Sequence, residues 1–532
     1  MGKAVIRILI TDPLSDEGIK LLKEEGGVEV DVKTDLTDEQ IKQTIGQYDG
    51  LLVRSGTQVT SDILASPGRL KVIGRAGAGL DNIDMEAASK HGIIVMNAAG
   101  GNTISTAEHT MSLLLSLCRN IPQANASLRA GKWDRKSFTG VELYGKTLGI
   151  IGLGRVGSEV AKRASGFGMR LMVHDPFLSA DKARELDAEP VEDLKEIFKR
   201  ADVITVHTPL SDSTRSLIGT KELAMMKKGV RLINCARGGI IDEQALAQAI
   251  RSGHVAGAAV DVFVKEPPED RILIDLPQVV ATPHLGASTK EAQLNVATDI
   301  ALSVRDFLLG RGVRNAANVP SVDPEMLKLI QPYLKLAEQM GRLQAQMMTG
   351  SFKAVRIRYI GELSKLELAP ATIAFLKGLL TPALQETVNY VNAAVIAKDR
   401  GIKVIESKSS EAQDFANLIS TTVETDRAQM EIQGTLFTRA DPRIVEIDGI
   451  RVEAIPSGSL LIVRNDDRPG MVGQFGTILG DHGINIGWMN FGRNKPGGQA
   501  LMAFNVDQPV PKALLEEIRK LPHVIDARGI EF

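Results

Sequence analysis

Thr147-Leu-Gly-Ile-Ile-Gly-Leu-Gly-Arg-Val-Gly157 runs directly into Ser158-Glu-Val-Ala-Lys-Arg-Ala-Ser-Gly166, an apolar stretch of strand length passing through glycines into a segment of helical period. Gly152, Gly154 and Gly157 stand in GxGxxG spacing between the two. They predict a tight turn over which a pyrophosphate reaches the NH groups and positive dipole end of the helix. Asp175 falls 18 residues after Gly157, at the end of the next apolar run, Leu171-Met-Val-His-Asp-Pro176. A carboxylate there can accept both hydroxyls of an adenosine ribose and repels a 2′-phosphate, so the expected cofactor is NAD rather than NADP.

The same alternation extends in both directions. Downstream, DVITVHTP (202–209), RLINCARGG (231–239), AGAAVDVF (256–263) and VVATPH (279–284) are separated by helical stretches. Upstream, VIRILIT (5–11), VEVDVK (28–33), GLLVRS (50–55), LKVIGRAG (70–77) and IIVMNA (93–98) repeat the pattern. Strand runs alternating with helices predict parallel sheets covered on both faces, here two doubly wound, Rossmann-like α/β domains. Helical patterns at 102–120 and 289–310 flank the second series. The chain is therefore expected to leave its first domain, build the second whole, and return: 1–99 with 288–317 bind substrate and 100–287 bind the dinucleotide. A long helix (325–348), the strand KAVRIRYIGEL (353–363) and further helices and strands predict an α+β intervening domain over 318–456. Residues 459–532 read strand, helix, strand, strand, helix, strand, a βαββαβ unit of ferredoxin-like type.

At 532 residues, with 43% hydrophobic and 24% charged side chains, the chain has the composition of a multidomain globular protein, not of a disordered, collagen-like or coiled-coil one. Its 63 basic and 65 acidic residues leave a net charge of −2, with no bulk positive field for nucleic acid or anionic lipid. Two cysteines, Cys118 and Cys235, can form at most one disulfide, which suits a reducing compartment, and the cytoplasm is expected. The first residues enter a strand-like run without a signal-type core, and the apolar stretch 111–118 is far short of the roughly 20 residues that span a bilayer. The histidines show no ligand spacing with acids or cysteines, so no metal is expected.

Three groups follow the carboxyl ends of consecutive strands, where open α/β sheets hold ligands: Arg237, Glu266 and His284. Oxidising a 2-hydroxy acid requires a base for the hydroxyl proton and a cation for the carboxylate. His284 suits the first task and the planar fork of Arg237 the second. Glu266, if it touches the imidazole, stabilises the imidazolium.

With Asp175 and the glycine turn, the stretches NCARGGIIDE, DVFVKEPP and PHLGAST make the chain resemble the D-isomer-specific 2-hydroxyacid dehydrogenases. VRSGTQVTSDIL, GRAGAGLDNID, GNTISTAEHT and GKWDRKSF narrow the resemblance to the branch that oxidises 3-phosphoglycerate on the way to L-serine. It is dense over residues 3–315, and the terminal unit looks like an ACT regulatory domain. The resemblance implies Arg237, Glu266 and His284 as catalytic, and NAD contacts from Arg155, Val156, Asp175, Thr208, Ala236 and Asp261. Ala78 stands where many relatives carry Thr, so a hydroxyl contact at the nicotinamide end is expected to be missing. Within the enzyme class the alternative is another small 2-hydroxy acid, such as glycolate or 2-hydroxyglutarate; outside it, an NAD-sensing corepressor.

A phosphorylated substrate needs further cations. Arg54, Ser55, Arg75 and Asn102 are expected in the cleft, and Arg135 lies with Trp133 and Lys136 in a loop that in relatives reaches a neighbouring subunit. His207 is expected to be structural, and Cys118 a core residue. In NDDRPGM (465–471), Asn465 and Asp467 flank the start of a helix, and with Asn485 on the next strand they are expected to hold an amino-acid effector, L-serine. The resemblance implies that paired ACT units build that site between subunits, hence a homo-oligomer, and a homotetramer is expected.

Overall fold

The computed structural model describes residues 5–24, 26–177, 183–320, 324–384, 387–411, 414–438 and 440–532. The expected runs form two wholly parallel sheets. The first contains β1 (Ile6–Ile10), β2 (Val28–Val32), β3 (Gly50–Val53), β4 (Val72–Arg75) and β5 (Ile94–Asn97) in the order β2-β1-β3-β4-β5. The second contains β6 (Thr147–Ile151), β7 (Arg170–His174), β8 (Ala188–Pro190), β9 (Val203–Val206), β10 (Val230–Asn234), β11 (Val255–Val260) and β12 (Val279–Ala281), ordered β12-β11-β10-β9-β6-β7-β8. Chain order reverses between β6 and β9, which opens a crevice at their carboxyl ends. The sequence reading lacks β8, because three residues ending in proline carry no apolar alternation and suit only an edge.

The helix Lys290–Leu308 carries the chain back. Thr289 caps it, its hydroxyl accepting from Ala292 N at 3.1 Å, and Val296, Ile300 and Val304 pack among Ile8, Leu52, Val72 and Ile94 of the first sheet. A buried helical stripe against buried strands explains why the stretch follows the dinucleotide segment in sequence yet completes the other sheet.

A third, mixed sheet holds β13 (Phe352–Gly361), β14 (Lys403–Ser409), β15 (Asn417–Thr425), β16 (Gln429–Leu436), β17 (Pro442–Ile447) and β18 (Ile450–Ala454), in the order β14-β13-β15-β16-β17-β18. The fourth is antiparallel: β19 (Ser459–Asp466), β20 (Ile486–Arg493), β21 (Gln499–Val506) and β22 (Val524–Glu531), ordered β20-β21-β19-β22. Along β19, Leu461 and Val463 face the helices Met471–Asp481 and Lys512–Arg519, while Leu460 and Ile462 share a core with Leu336 and Met340 of the helix Pro324–Met347. Both faces are covered, so the strand reads as a continuous apolar run, and the last two sheets are joined through one core.

Candidate active site

The glycine turn occupies the crevice between β6 and β9. Gly152 has φ +93°, and a Cβ on it would lie 2.8 Å from the His207 carbonyl; a Cβ on Gly157 would lie 2.1 Å from the Gly152 carbonyl, too close for the helix Arg155–Gly166 to start against the strand. No side chain caps that helix at Gly154, around which a Cβ would meet nothing within 4 Å. Thr208 Oγ1, nearby on the β9 side, is buried without a partner. An open cradle, an uncapped helix start and an orphaned hydroxyl fit a dinucleotide pyrophosphate. The cleft, of about 210 Å³, is lined by Ala78, Asn102, Val156, Thr208, Ala236 and Asp261 among others. Arg155 stands exposed at the helix start. Asp175 accepts from Leu153 N at 2.8 Å and Phe177 N at 2.9 Å, so the turn itself aims the carboxylate.

At the cleft's far end His284 Nδ1 and Glu266 Oε2 lie 2.6 Å apart, and Phe263 N donates to the other carboxylate oxygen at 3.1 Å. Burial would raise the Glu266 carboxyl, but the bonds from His284 and Phe263 outweigh it and hold it below the usual range. His284 adopts φ +54°, uncommon for a residue with a side chain. Asp261 imposes this. Its backbone carbonyl accepts from His284 N, and its fully buried carboxylate accepts from Leu285 N at 2.7 Å, Gly286 N at 2.9 Å and the Thr282 hydroxyl at 2.6 Å, with His109 Nε2 at 3.1 Å. Those bonds outweigh burial and keep the carboxyl ionised. Ser55 lines a neighbouring cavity that Glu266 and His284 also border.

Three arginines carry the positive charge. Arg75, at the end of β4, is lowered to about 10 by burial and by the nearby charges of Arg237 and Arg54, and its Nε has no partner. Arg54 donates to the Pro13 carbonyl, and the Asp12 carboxylate holds its loop through Arg54 N and Thr57 N. Arg237 Nε donates to Asp81 of the first sheet's loop at 2.8 Å and Nη1 to the Ala236 carbonyl at 2.6 Å, so the guanidinium is tied across the two sheets. Arg135 is exposed and lines neither cavity of its own chain. His207, at the crevice, is lowered to about 4 by burial, with Thr205 Oγ1 at 3.0 Å. Cys118 and Cys235 are buried and unpaired, and burial pushes the Cys235 thiol up to about 12. Among the described residues no group of three or more His, Cys, Asp or Glu is arranged around a metal position, and no helix is long and apolar enough to cross a membrane.

Residues 111–286 match the D-isomer specific 2-hydroxyacid dehydrogenase NAD-binding domain, 329–448 the D-3-phosphoglycerate dehydrogenase intervening domain, and 459–523 the ACT domain. The chain is 47% identical over 526 residues to a D-3-phosphoglycerate dehydrogenase of Methanocaldococcus jannaschii, covering 99% of this chain and 100% of that one. The chain belongs to the D-3-phosphoglycerate dehydrogenase family. A second member, from Bacillus subtilis, is 45% identical over 527 residues, again covering 99% and 100%. Among solved structures, a glyoxylate reductase from Paecilomyes thermophila superimposes with TM-score 0.55 at 30% identity, over 59% of this chain and 99% of that one. A D-lactate dehydrogenase from Aquifex aeolicus, complexed with NAD and lactic acid, does so at 0.52 and 26%, over 59% and 100%. This member of the family is an NAD-dependent dehydrogenase.

The terminal unit departs from the sequence reading. Asn465 is wholly buried, its amide donating to the Asp466 carbonyl and its Oδ1 without a partner. Asp467 already accepts from Arg493 Nη1 and Gly497 N, each at 2.9 Å, which lowers its carboxyl. Asn485 precedes β20 rather than lying on it and donates to Asp507. β19 and β20 both pair antiparallel with β21, so they run parallel: Arg493 and Asn465 both align with Ala500, whereas Ile486 aligns with Val506 and thus with Ser459. Asn485 therefore lies at the opposite end of the sheet from Asn465 and Asp467, and one chain does not bring the three together.

Also unassigned by the sequence reading are Asp81, Asp12 and His109. Asp81 lies inside the quoted GRAGAGLDNID, but its partner is 156 residues away and no spacing reveals the pair.

Proposed function

We infer that the chain oxidises the C2 hydroxyl of D-3-phosphoglycerate to the ketone of 3-phosphohydroxypyruvate with NAD, the first committed step toward L-serine. The observation that carries this is the 2.6 Å His284–Glu266 pair beside a cleft supplied with arginines from three strand ends. NAD, when bound, supplies the acceptor for the hydride leaving C2. His284 Nε2 takes the hydroxyl proton, and Glu266, holding Nδ1, stabilises the imidazolium that results. Arg237, fixed by Asp81 through Nε and by the Ala236 carbonyl through Nη1, turns Nη2 to the substrate carboxylate. Arg54 and Arg75 read the phosphate, the buried, unpartnered Nε of Arg75 marking a donor in want of an anion. The glycine turn, Asp175 and Thr208 hold the cofactor.

The deciding experiment compares D-3-phosphoglycerate with D-glycerate, the same acid without phosphate, in wild type, Arg54→Ala and Arg75→Ala. Each variant loses a charge-assisted contact of about 1.5 to 3 kcal/mol and should raise KM for the phosphorylated acid by about 10-fold or more, with little change for D-glycerate. Equal increases for both acids would remove the arginines from phosphate recognition.

The sheets support the division at 1–99 with 288–317, 100–287, 318–456 and 459–532. L-Serine is the proposed effector and a homotetramer the proposed assembly. Trp488, Met489 and Phe491 are exposed on β20, the end strand of the fourth sheet, an apolar edge suited to pairing with a second copy. Two-fold pairing there is antiparallel and sets the second copy's Asn485 beside the Arg493 end, next to Asp467. Two unpaired cysteines support a cytoplasmic setting.

A further inference from the structure

Three asparagines from outside the first sheet's domain converge on the carboxyl end of one of its short helices. At the end of helix Met85–Lys90 the carbonyls of Ala87, Ala88 and Ser89 accept from His91, Ile93 and Gly92 N, and the asparagines take the acceptors that follow. Asn389 donates to the Gly92 carbonyl at 3.1 Å, Asn392 reaches that of Lys90 at 3.5 Å, and Asn318 donates to Ser89 Oγ at 3.0 Å and the Ile93 carbonyl at 2.8 Å. Asn389 and Asn392 belong to the intervening domain, and between them Val391 is buried in the first sheet's core. The Asn389 Oδ1 meanwhile accepts from Val391 N at 2.8 Å and Asn392 N at 3.1 Å, which makes the turn a preformed plug.

The other end of that helix is stitched to the loop of Arg54. Asp84 caps the helix through Ala87 N, Asp84 N donates to the Val59 carbonyl, and Val59 N donates to that of Asn82. Asn82, itself buried, donates through Nδ2 to the Arg54 and Thr57 carbonyls, both at 2.7 Å. Asp81, the partner of Arg237, directly precedes it. A two-turn helix is stiff, so a pull at its carboxyl end is felt at its start.

We propose that Asn389 is a positioning residue for substrate binding: through helix 85–90 and Asn82 the intervening domain sets the loop that carries Arg54, making it a physical joint between the regulatory half and the phosphate contacts. The specificity part rests on Arg54 reading the phosphate, as above; the joint itself does not.

Asn389→Asp is the discriminating variant, because its carboxylate still accepts within the turn but no longer donates to Gly92; Asn389→Ala is the second. With the full-length protein, both should raise KM for D-3-phosphoglycerate about 3- to 10-fold, keep kcat within about 2-fold, and leave KM for D-glycerate and NAD affinity unchanged. Hydrogen exchange should quicken at 54–59 as well as at 85–92. Wild-type exchange at 54–59 in a folded Asn389→Asp protein overturns the joint, whatever the kinetics. If exchange quickens there but Arg54→Ala leaves the ratio of the two KM values untouched, the joint stands and the phosphate reading of Arg54 fails instead. A KM that rises equally for both acids overturns the assignment of Asn389 to specificity.

Discussion

His284 is held on both sides before any substrate arrives: Glu266 takes Nδ1, and Asp261 fixes the backbone in the left-handed region. The Nε2 side alone is left for chemistry. His284→Ala should lower kcat by about 10²- to 10⁴-fold while NAD affinity, followed by fluorescence titration, stays near wild type. Glu266 stabilises the positive charge that His284 gains on taking the proton, so Glu266→Gln, which can still accept from Nδ1, should lower kcat by about 10-fold or more while NAD affinity stays near wild type. A wild-type kcat in that variant would leave Glu266 only a packing role. Asp175, aimed by Leu153 N, should enforce at least about 100-fold preference for NAD over NADP in kcat/KM, roughly 2.7 kcal/mol, and Asp175→Ala should narrow it. These residues were legible because each follows a strand end and carries the residue type its task demands. Asp81 and His109 were not, since their meaning lies in partners 156 and 152 residues away along the chain.

At the scale of elements, apolar alternation was enough to read the two parallel sheets, including the return of 290–308, because buried strands and a striped helix leave periodicities of 2 and 3.6. Register is different. Which end of β20 meets which end of β19 depends on strand order within the sheet, so within one chain Asn485 lies away from Asn465 and Asp467, an arrangement compatible with the expected site between paired units. The crevice between β6 and β9 gives a pH test of the element that walls it. His207 titrates at about 4 in the fold against about 6.5 in an unfolded chain, so between these values the unfolded state binds more protons. Its contribution is fully present above pH 6.5 and is lost as pH falls toward 4, by at most about 3 kcal/mol. Urea midpoints measured from pH 7 to 4 should fall more steeply for wild type than for His207→Gln, and parallel curves would show that His207 is hydrated in the fold.

Across the whole molecule, the intervening and ACT sheets share a core through the helix Pro324–Met347, and that combined body meets the first sheet's domain through the linker and the Asn389 turn. An effector bound at the far end therefore acts on a single body rather than on a loosely tethered module. The buried Asn465 Oδ1 without a partner lies at the same end of β19 as Asp467, where an ammonium would have to displace Arg493. Calorimetry on the full-length protein should detect L-serine binding that Asp467→Ala abolishes, and the variant should retain wild-type kcat while losing inhibition by millimolar serine. Asp467 also bonds Gly497, so the variant loosens the 494–498 turn; Arg493→Ala separates the two effects, since it frees the carboxylate and should tighten serine binding if Asp467 receives the ammonium. Heat of binding unchanged in both variants would move the effector elsewhere, and none in the wild type would leave the terminal sheet to assembly alone.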